Sequence, residues 1–191
     1  NDIAVRWRVA GVDLVSEIGA SWTADIYVEL PADWRLDAVA GNSSQIKTVA
    51  STTAFYQSMY GGPTSVSINP EFYPMSPDLQ WDSRMTIGCL DASGAPYAEN
   101  NLGDIGIDWT EFESGGSLSV VDGTWFVLPI DSQGEAAFFT DSSCTQRYGV
   151  LVARLTSLEY DSEILFDALF QGRDAQGLTW QDAASTTISY Q

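Results

Sequence analysis

Apolar and polar residues alternate through most of the chain, with the two-residue period of a β-strand that buries one face. The segment "IAVRWRV" at 3–9 shows this pattern first, and "WTADIYVEL" at 22–30 repeats it. The segment "YGVLVARLTSL" at 148–158 is almost continuously apolar, which is typical of a central strand. Between such segments stand clusters of Gly, Pro, Asp and Ser, which favour turns. The chain is therefore predicted to be a series of short strands.

Two turns carry specific hairpin signals. Asp122-Gly123 separates "SLSVV" from "TWFVLP", and Asp-Gly between apolar runs predicts a hairpin over 117–129. In "FQGRDAQGLTWQD" at 170–182, Asp174 opens and Gly177 closes a four-residue turn. The same stretch lacks the alternate oxygen ligands and the distal glutamate of a calcium loop. It is therefore predicted to be the tip of a second hairpin.

Two segments leave more room for interpretation. Residues 158–170, "LEYDSEILFDALF", fit a helical stripe tolerably, but their alternate apolar positions fit a strand as well. Because strands flank this segment on both sides, we expect a strand here too. Residues 80–90, "QWDSRMTIGCL", alternate and are also predicted to be a strand, whereas the proline-rich 69–79 predicts a surface loop.

These segments together predict the fold class. The chain shows no alternation of strands and helices of the kind that builds parallel sheets, and no internal repeat. Its 191 residues suffice for one domain with a substantial core. We therefore expect an all-β fold, a jelly-roll-like antiparallel β-sandwich, as a single domain over residues 1–191.

Charge narrows the possible partners. The chain has 26 acidic and 8 basic residues, a net charge of −18, and this charge repels nucleic acids and anionic lipids. No apolar run approaches the roughly 18 residues of a membrane span, so membrane insertion is not expected. An acidic surface also attracts cations such as calcium. Four acidic residues lie within ten positions of the sequence: Asp104, Asp108, Glu111 and Glu113. They are either candidate calcium ligands or part of a solvated acidic turn.

Catalytic chemistry is limited by the absence of histidine from the sequence. This excludes Ser-His-Asp and Cys-His catalysis and zinc held by imidazole. Paired carboxylates, as in glycosidases, exist at Glu111 with Glu113 and at Asp161 with Glu163. Among 26 acids, however, such pairs arise by chance. We expect a protein that is not an enzyme and needs no cofactor.

Three residues bear on the compartment. Cys89 and Cys144 are the two cysteines, and in a secreted chain we expect them to form a disulfide, the alternative being two buried free thiols. Asn42 begins the sequon "NSS", a candidate N-glycosylation site. These features predict a secreted, extracellular protein.

Aromatic residues divide into two groups. Five of the seven tryptophans lie within alternating strand patterns and are assigned to the core: Trp7, Trp22, Trp81, Trp125 and Trp180. The two remaining tryptophans and two further aromatic residues lie near predicted loops and are candidates for an exposed platform on which sugar rings stack: Trp34, Trp109, Phe72 and Tyr73.

The order of several blocks resembles a known family. The blocks "QWDSRMTIG", "GTWFVLPIDSQGEA", "YGVLVARLTSL" and "FQGRDAQGLTWQ" are similar to those of largely uncharacterised secreted proteins of aquatic microbes. The resemblance covers roughly residues 22–182. It implies a secreted all-β domain and supplies no catalytic residues.

The leading functional hypothesis is a structural or cell-surface protein, a subunit of an extracellular filament or coat. Its first strand, with Ile3, Val5, Trp7 and Val9 on one face, is the candidate for addition to a neighbouring chain. The alternative is that this strand pairs within its own sandwich. A carbohydrate-binding module is the second hypothesis. Expected partners are further copies of the chain, other surface proteins, or glycans.

Overall fold

Two antiparallel sheets form the protein. The computed structural model describes residues 2–191, and strands account for 44% of the chain against 9% for helices, which confirms the all-β class. The strands are β1 (Ala4–Val12), β2 (Ser21–Glu29), β3 (Arg35–Gly41), β4 (Lys47–Ser51), β5 (Arg84–Met85), β6 (Gly103–Ile105), β7 (Leu118–Val120), β8 (Gly123–Phe126), β9 (Ala137–Thr140), β10 (Gln146–Leu158), β11 (Glu163–Arg173) and β12 (Thr179–Ser189). A short helix, α1, spans Thr110–Glu113, and 3-10 turns span Ser65–Ser67, Pro70–Phe72, Pro77–Trp81 and Ser132–Gly134.

The first sheet has the order β1-β2-β10-β5, and β9 also pairs with β10. The second sheet has the order β6-β8-β3-β11-β4-β7. Strand β12 pairs along the whole of β11, so β3 and β4 follow one another along the opposite edge of β11. One apolar core lies between the sheets and receives side chains from both. The antiparallel β-sandwich is thus confirmed.

Alternation in the sequence predicts the core-facing side of both β2 and β11, but burial alternates only in β11, because the polar Thr23 and Asp25 of β2 are buried as well. In β2 the core-facing Trp22, Ala24, Ile26 and Val28 are fully buried. In β11 alternate apolar side chains from Ile164 to Phe170 are likewise fully buried, while the residues between them are exposed or half-buried. A helix would not separate odd from even positions in this way. The strand assignment of this ambiguous segment is therefore confirmed.

The hairpin predicted at Asp122-Gly123 does not form. Strand β7 pairs with β4, and β8 pairs with β3 and β6, so the two strands do not pair with each other. Because β3 and β4 lie end to end along β11, their partners β7 and β8 also follow one another. By contrast, the turn at Asp174–Gly177 joins β11 to β12 as predicted. Its Gly177 has a φ of 78°, which favours glycine.

Residues 80–90 form only the two-residue strand β5, so the longer predicted strand is wrong. Every residue from Asp82 to Cys89 is buried, which removes the distinction between a core face and a solvent face. The segment is enclosed because it runs along β10, where the Thr156 hydroxyl donates to the Trp81 carbonyl at 2.6 Å. Residues 69–79 form turns rather than a strand, as predicted; Ser76, Asp78 and Leu79 are buried, and the others are exposed or half-buried.

No helix among the described residues has the length and apolar character required to cross a bilayer.

Candidate functional site

One end of the sandwich carries a cavity of about 570 Å³, which we name the Trp34 pocket. Three separate segments form its walls: the β2–β3 connection, the segment before β9, and the β11–β12 turn. Its lining side chains combine an indole with charged groups: Asp33, Trp34, Arg35, Glu135, Arg173 and Asp174. The volume falls within the range typical of small-molecule sites, about 300–1,000 Å³.

Backbone contacts hold the three walls together. The Ala136 N–H donates to the Trp34 carbonyl at 3.0 Å, and Arg35 pairs with Glu135 in an isolated antiparallel bridge. Next to the pocket, β3 and β11 approach closely at Gly172, because a Cβ there would lie 1.9 Å from the Arg35 carbonyl oxygen. A side chain at position 172 would therefore separate β3 from β11. The pocket is a feature of the rigid sheet rather than of one loop.

Trp34 presents its indole to this pocket from a fixed position. Its ring centroid lies 5.6 Å from that of Trp180 of β12, with the planes tilted by 32°. Both rings are half-buried and pack against the core. The Trp180 Nε1 is buried and has no hydrogen-bond partner among the described residues. Packing against Trp180 and the core therefore restricts the Trp34 side chain, which lowers the entropic cost of ordering it when a ligand binds.

Arg173 is the basic residue whose side chain is least engaged in hydrogen bonds within the protein. The other seven basic side chains each donate to a carboxylate or a backbone carbonyl: Arg6, Arg8, Arg35, Lys47, Arg84, Arg147 and Arg154. Arg173 lies 3.8 Å from the Asp37 carboxylate, beyond hydrogen-bond distance, and 45% of its side chain is exposed. Its guanidinium therefore has N–H donors for a ligand.

The acidic residues of the pocket supply acceptors. Asp33 and Glu135 are exposed and belong to two different segments of the lining. Asp174 Oδ1 accepts from the N–H groups of Gln176 and Leu178, both at 2.9 Å, and so fixes the β11–β12 turn. The Trp34 pocket therefore combines an aromatic wall, a partly free guanidinium and exposed carboxylates, which is suited to a ligand with both donors and acceptors.

The predicted aromatic platform is not a single surface. Trp34 lines the pocket, whereas Trp109 packs against Trp125 with ring centroids 6.1 Å apart and donates from Nε1 to Asp104 at 2.9 Å. Phe72 and Tyr73 lie at the 3-10 turn after Asn69, where the Tyr73 hydroxyl donates to Asp91 at 3.0 Å. Burial raises the pKa of Tyr73 to about 12. Of the four candidates, Trp34 alone lines the pocket.

Of the tryptophans assigned to the core, Trp22 and Trp125 are fully buried, and Trp7 and Trp180 are half-buried against the core. Trp81 differs from the prediction. It ends the 3-10 turn Pro77–Trp81, and the Arg154 guanidinium lies over its ring at 5.1 Å from the centroid.

The acidic cluster has structural roles. The Asp108 carboxylate accepts from the Thr110 N–H at 3.0 Å, and hydrogen bonds from Thr110 lower the pKa of Asp108. Glu111 and Glu113 lie in the short helix α1 and not on a strand, so this spacing does not place the two carboxylates on one strand face. Within residues 2–191 no three acidic or cysteine side chains are arranged to hold a metal ion. Asp161 likewise precedes β11 in a turn.

The predicted disulfide is absent. Cys89 and Cys144 are both free thiols. Cys89 is buried with its Sγ 3.5 Å from the Glu99 carbonyl oxygen, and burial raises its pKa to about 12. Cys144 is exposed in the β9–β10 turn, so the alternative of two buried thiols also fails for this residue. The two side chains belong to different environments, which the sequence could not show.

The remaining candidates are accessible positions. Asn42 is exposed in the β3–β4 turn, where its Oδ1 accepts from the Ser44 and Gln45 N–H groups, both at 2.9 Å. Strand β1 pairs with β2 within its own sandwich; Ile3 and Val5 are buried, and Trp7 and Val9 are half-buried. Beside β1 lies a groove of about 640 Å³, whose walls include Trp7, Cys144 and Tyr190.

Comparisons of the chain with protein-family models, with curated proteins and with solved structures find no match. The sequence identified Trp34 as a candidate from its place near a loop. Sequence reasoning missed Arg173 and Glu135 as its neighbours, because they lie about 100 residues or more away along the chain. The charged turn "GRDAQG" was the available signal, and it indicated a hairpin only.

Proposed function

We propose that the protein is a secreted β-sandwich that binds a neutral saccharide in the Trp34 pocket. The observation that carries the proposal is the meeting of the Trp34 indole with the partly free Arg173 guanidinium and the exposed Asp33 and Glu135 carboxylates. A pyranose ring has apolar C–H faces and a rim of hydroxyls. The indole matches the faces, and the charged groups match the hydroxyls as acceptors and donors.

Charge favours a neutral ligand over an acidic one. The chain carries a net charge of −18, and the pocket itself has more carboxylates than guanidinium groups. An anionic sugar would therefore meet repulsion, which salt screens only beyond about 8 Å at physiological ionic strength. Hydroxyl groups, in contrast, donate to carboxylates without placing two like charges together. The proposal concerns binding and not catalysis.

Affinity electrophoresis tests the proposal. The protein is run in native gels containing, in turn, hydroxyethylcellulose, β-glucan, xylan, galactomannan or dextran. We expect at least one polysaccharide to retard the wild type. Trp34→Ala and Arg173→Gln should each weaken binding by about tenfold or more, the equivalent of about 1.4 kcal/mol. Arg173 is exposed, so its replacement leaves the fold intact even if loss of Trp34 does not.

Tyr60→Ala is the matched control, since it removes another aromatic side chain, 51% exposed, that does not line the pocket. Its migration should equal that of the wild type. Equal migration of the wild type and both pocket variants in all five gels would refute the proposal.

Self-assembly into a filament or coat is a second candidate, favoured by one observation. Strand β1 forms an edge of the first sheet, and the groove of about 640 Å³ lies beside it. Two features of β1 oppose assembly: a bulge at Val9/Gly11 interrupts the β1–β2 register, and β1 carries the charged side chains Arg6 and Arg8, which form ion pairs. Natural edge strands use bulges and charges to prevent pairing with the edge strands of other molecules. Sedimentation velocity decides: because salt screens the repulsion between copies, assembly should strengthen with salt. A monomer at every salt concentration would exclude this candidate.

A further inference from the structure

Phe138, the second residue of β9, is the most exposed aromatic side chain among residues 2–191, at 68%. Its neighbour Phe139 is buried and stacks on Tyr27 with ring centroids 4.1 Å apart and planes within 3°. Phe139 therefore already packs β9 against the first sheet. Phe138 instead stands against Tyr148 of β10, with centroids 4.0 Å apart and planes tilted by 32°. Phe138 stands directly opposite Tyr148 in the β9–β10 register, so their contact supports strand pairing, yet most of the Phe138 side chain remains exposed.

The Phe138–Tyr148 pair is connected to the Trp34 pocket through short backbone contacts. Ala136 lines the pocket and donates its N–H to the Trp34 carbonyl. Phe138 follows two residues later, a distance of about 7 Å along an extended chain. From the other side, the Leu30 N–H donates to the Tyr148 carbonyl at 3.0 Å, just before the connection that carries Trp34. Both aromatic groups therefore belong to the same end of the sandwich.

We propose that the saccharide in the Trp34 pocket is a chain of several rings, and that a further ring of this chain lies on Phe138 where Tyr148 supports it. This inference rests on the proposed function and names its ligand class, an oligosaccharide rather than a single sugar. Phe138 forms an apolar subsite, which binds through the C–H face of a ring, while the charged groups around Trp34 bind hydroxyls. Continuity along β9 selects this occupant over a second copy of the protein, which its net charge of −18 would repel.

Isothermal titration with chains of different length tests the inference. The ligands are cellohexaose, xylohexaose and mannohexaose, each compared with its own disaccharide. For the hexasaccharide that binds, we expect Phe138→Ala to weaken the affinity about fivefold to tenfold. This loss is equivalent to about 1–1.4 kcal/mol, which is the size expected for one aromatic contact. The same variant should leave affinity for the disaccharide unchanged. Phe138→Leu, which keeps an apolar side chain without a ring face, should show most of the loss.

Phe72→Ala is the control, because it removes a phenyl ring, 39% exposed, from the 3-10 turn Pro70–Phe72 and should change neither affinity. If Trp34→Ala abolishes binding while Phe138→Ala binds the hexasaccharide as the wild type does, the proposed function stands and the Phe138 subsite is wrong. If the wild type binds none of the six sugars although a polysaccharide retards it in the gels, the inference is overturned and the proposed function stands. If no polysaccharide retards it either, both fail. If Phe138→Ala instead converts a dimer to a monomer in sedimentation velocity without altering sugar affinity, the ring serves self-association and the inference is overturned.

Discussion

Lys47 is the single lysine of the chain, and it is fully buried in β4. Its Nζ donates to the Val39 carbonyl at 3.0 Å and lies 4.0 Å from the centroid of the Trp125 ring. Burial lowers the pKa of Lys47 from its ordinary 10.5 to about 7, and the charge of Asp104 opposes this only in part. We predict that Lys47→Met, which keeps the length of the side chain and removes the charge, stabilises the protein.

The magnitude follows from these contacts. The lowered pKa corresponds to roughly 5 kcal/mol against the charged form, at 1.36 kcal/mol per unit. The cation–π contact with Trp125, lost in the variant, is worth about 2 kcal/mol, and the hydrogen bond to Val39 about 1 kcal/mol. The Val39 carbonyl keeps a second donor, the Thr124 hydroxyl at 3.0 Å, so it is not left unsatisfied. The net gain expected from Lys47→Met is about 2 kcal/mol below pH 7.

The gain should depend on pH in a defined direction. Between about pH 7 and 10.5 the unfolded chain binds a proton at Lys47 that the folded protein has released. Wild-type stability at this site therefore rises as pH rises through that window, and it is constant below pH 7. The methionine variant has no such group. Its advantage of about 2 kcal/mol at pH 6 should fall by about 4 kcal/mol as pH rises to 10, so that at pH 10 the variant should be less stable than the wild type by about 2 kcal/mol.

Urea unfolding at pH 6 and pH 10 measures both quantities by linear extrapolation. Arg147→Met is the control, since a guanidinium stays charged at both pH values and the effect of its loss should not change between them. A Lys47→Met protein that is less stable than the wild type by more than about 1 kcal/mol at pH 6 would refute the reasoning, because stabilising contacts would then outweigh desolvation. A difference that does not vary with pH would refute the lowered pKa.

Two further predictions concern other buried groups. Burial raises the pKa of Asp82 from its ordinary 3.8 to about 7, although the N–H groups of Ser58 and Gly62 donate to its carboxylate. The wild type should therefore lose stability as pH rises from about 4 to 7. In urea unfolding, Asp82→Asn should have almost no effect on stability at pH 4 and should stabilise the protein by about 1–3 kcal/mol at pH 8. In the native protein, an alkylating agent should modify Cys144 alone, because Cys89 is buried. In urea without reductant it should modify both cysteines, and the intact mass reports how many have reacted. If neither cysteine reacts in urea, the two form a disulfide and the prediction is wrong.

Several elements of this fold could be predicted from the sequence because their cause is local. A two-residue period places alternate side chains on opposite faces of a strand, so the core-facing positions of β2 and β11 follow from the pattern alone. The Asp174–Gly177 turn follows from its residues, since an aspartate side chain bonds the backbone ahead of it and glycine accepts a positive φ. These are properties of a few neighbouring residues, and no distant contact overrides them.

Pairing between strands is decided by the tertiary structure. The Asp122-Gly123 signal for a hairpin is as clear in the sequence as the one at Asp174, yet β7 and β8 pair elsewhere because β3 and β4 lie end to end along β11. The same limit applies to residues 80–90, which alternate as a strand but are buried without interruption from Asp82 to Cys89.

The candidate site depends on the fold in the same way. Trp34, Glu135 and Arg173 meet because the β2–β3 connection, the segment before β9 and the β11–β12 turn converge at one end of the sandwich. A sequence pattern records which residues face a core, since burial of apolar surface is non-directional and acts on each strand separately. It does not record which strands become neighbours, because that choice depends on how all strands together cover the core.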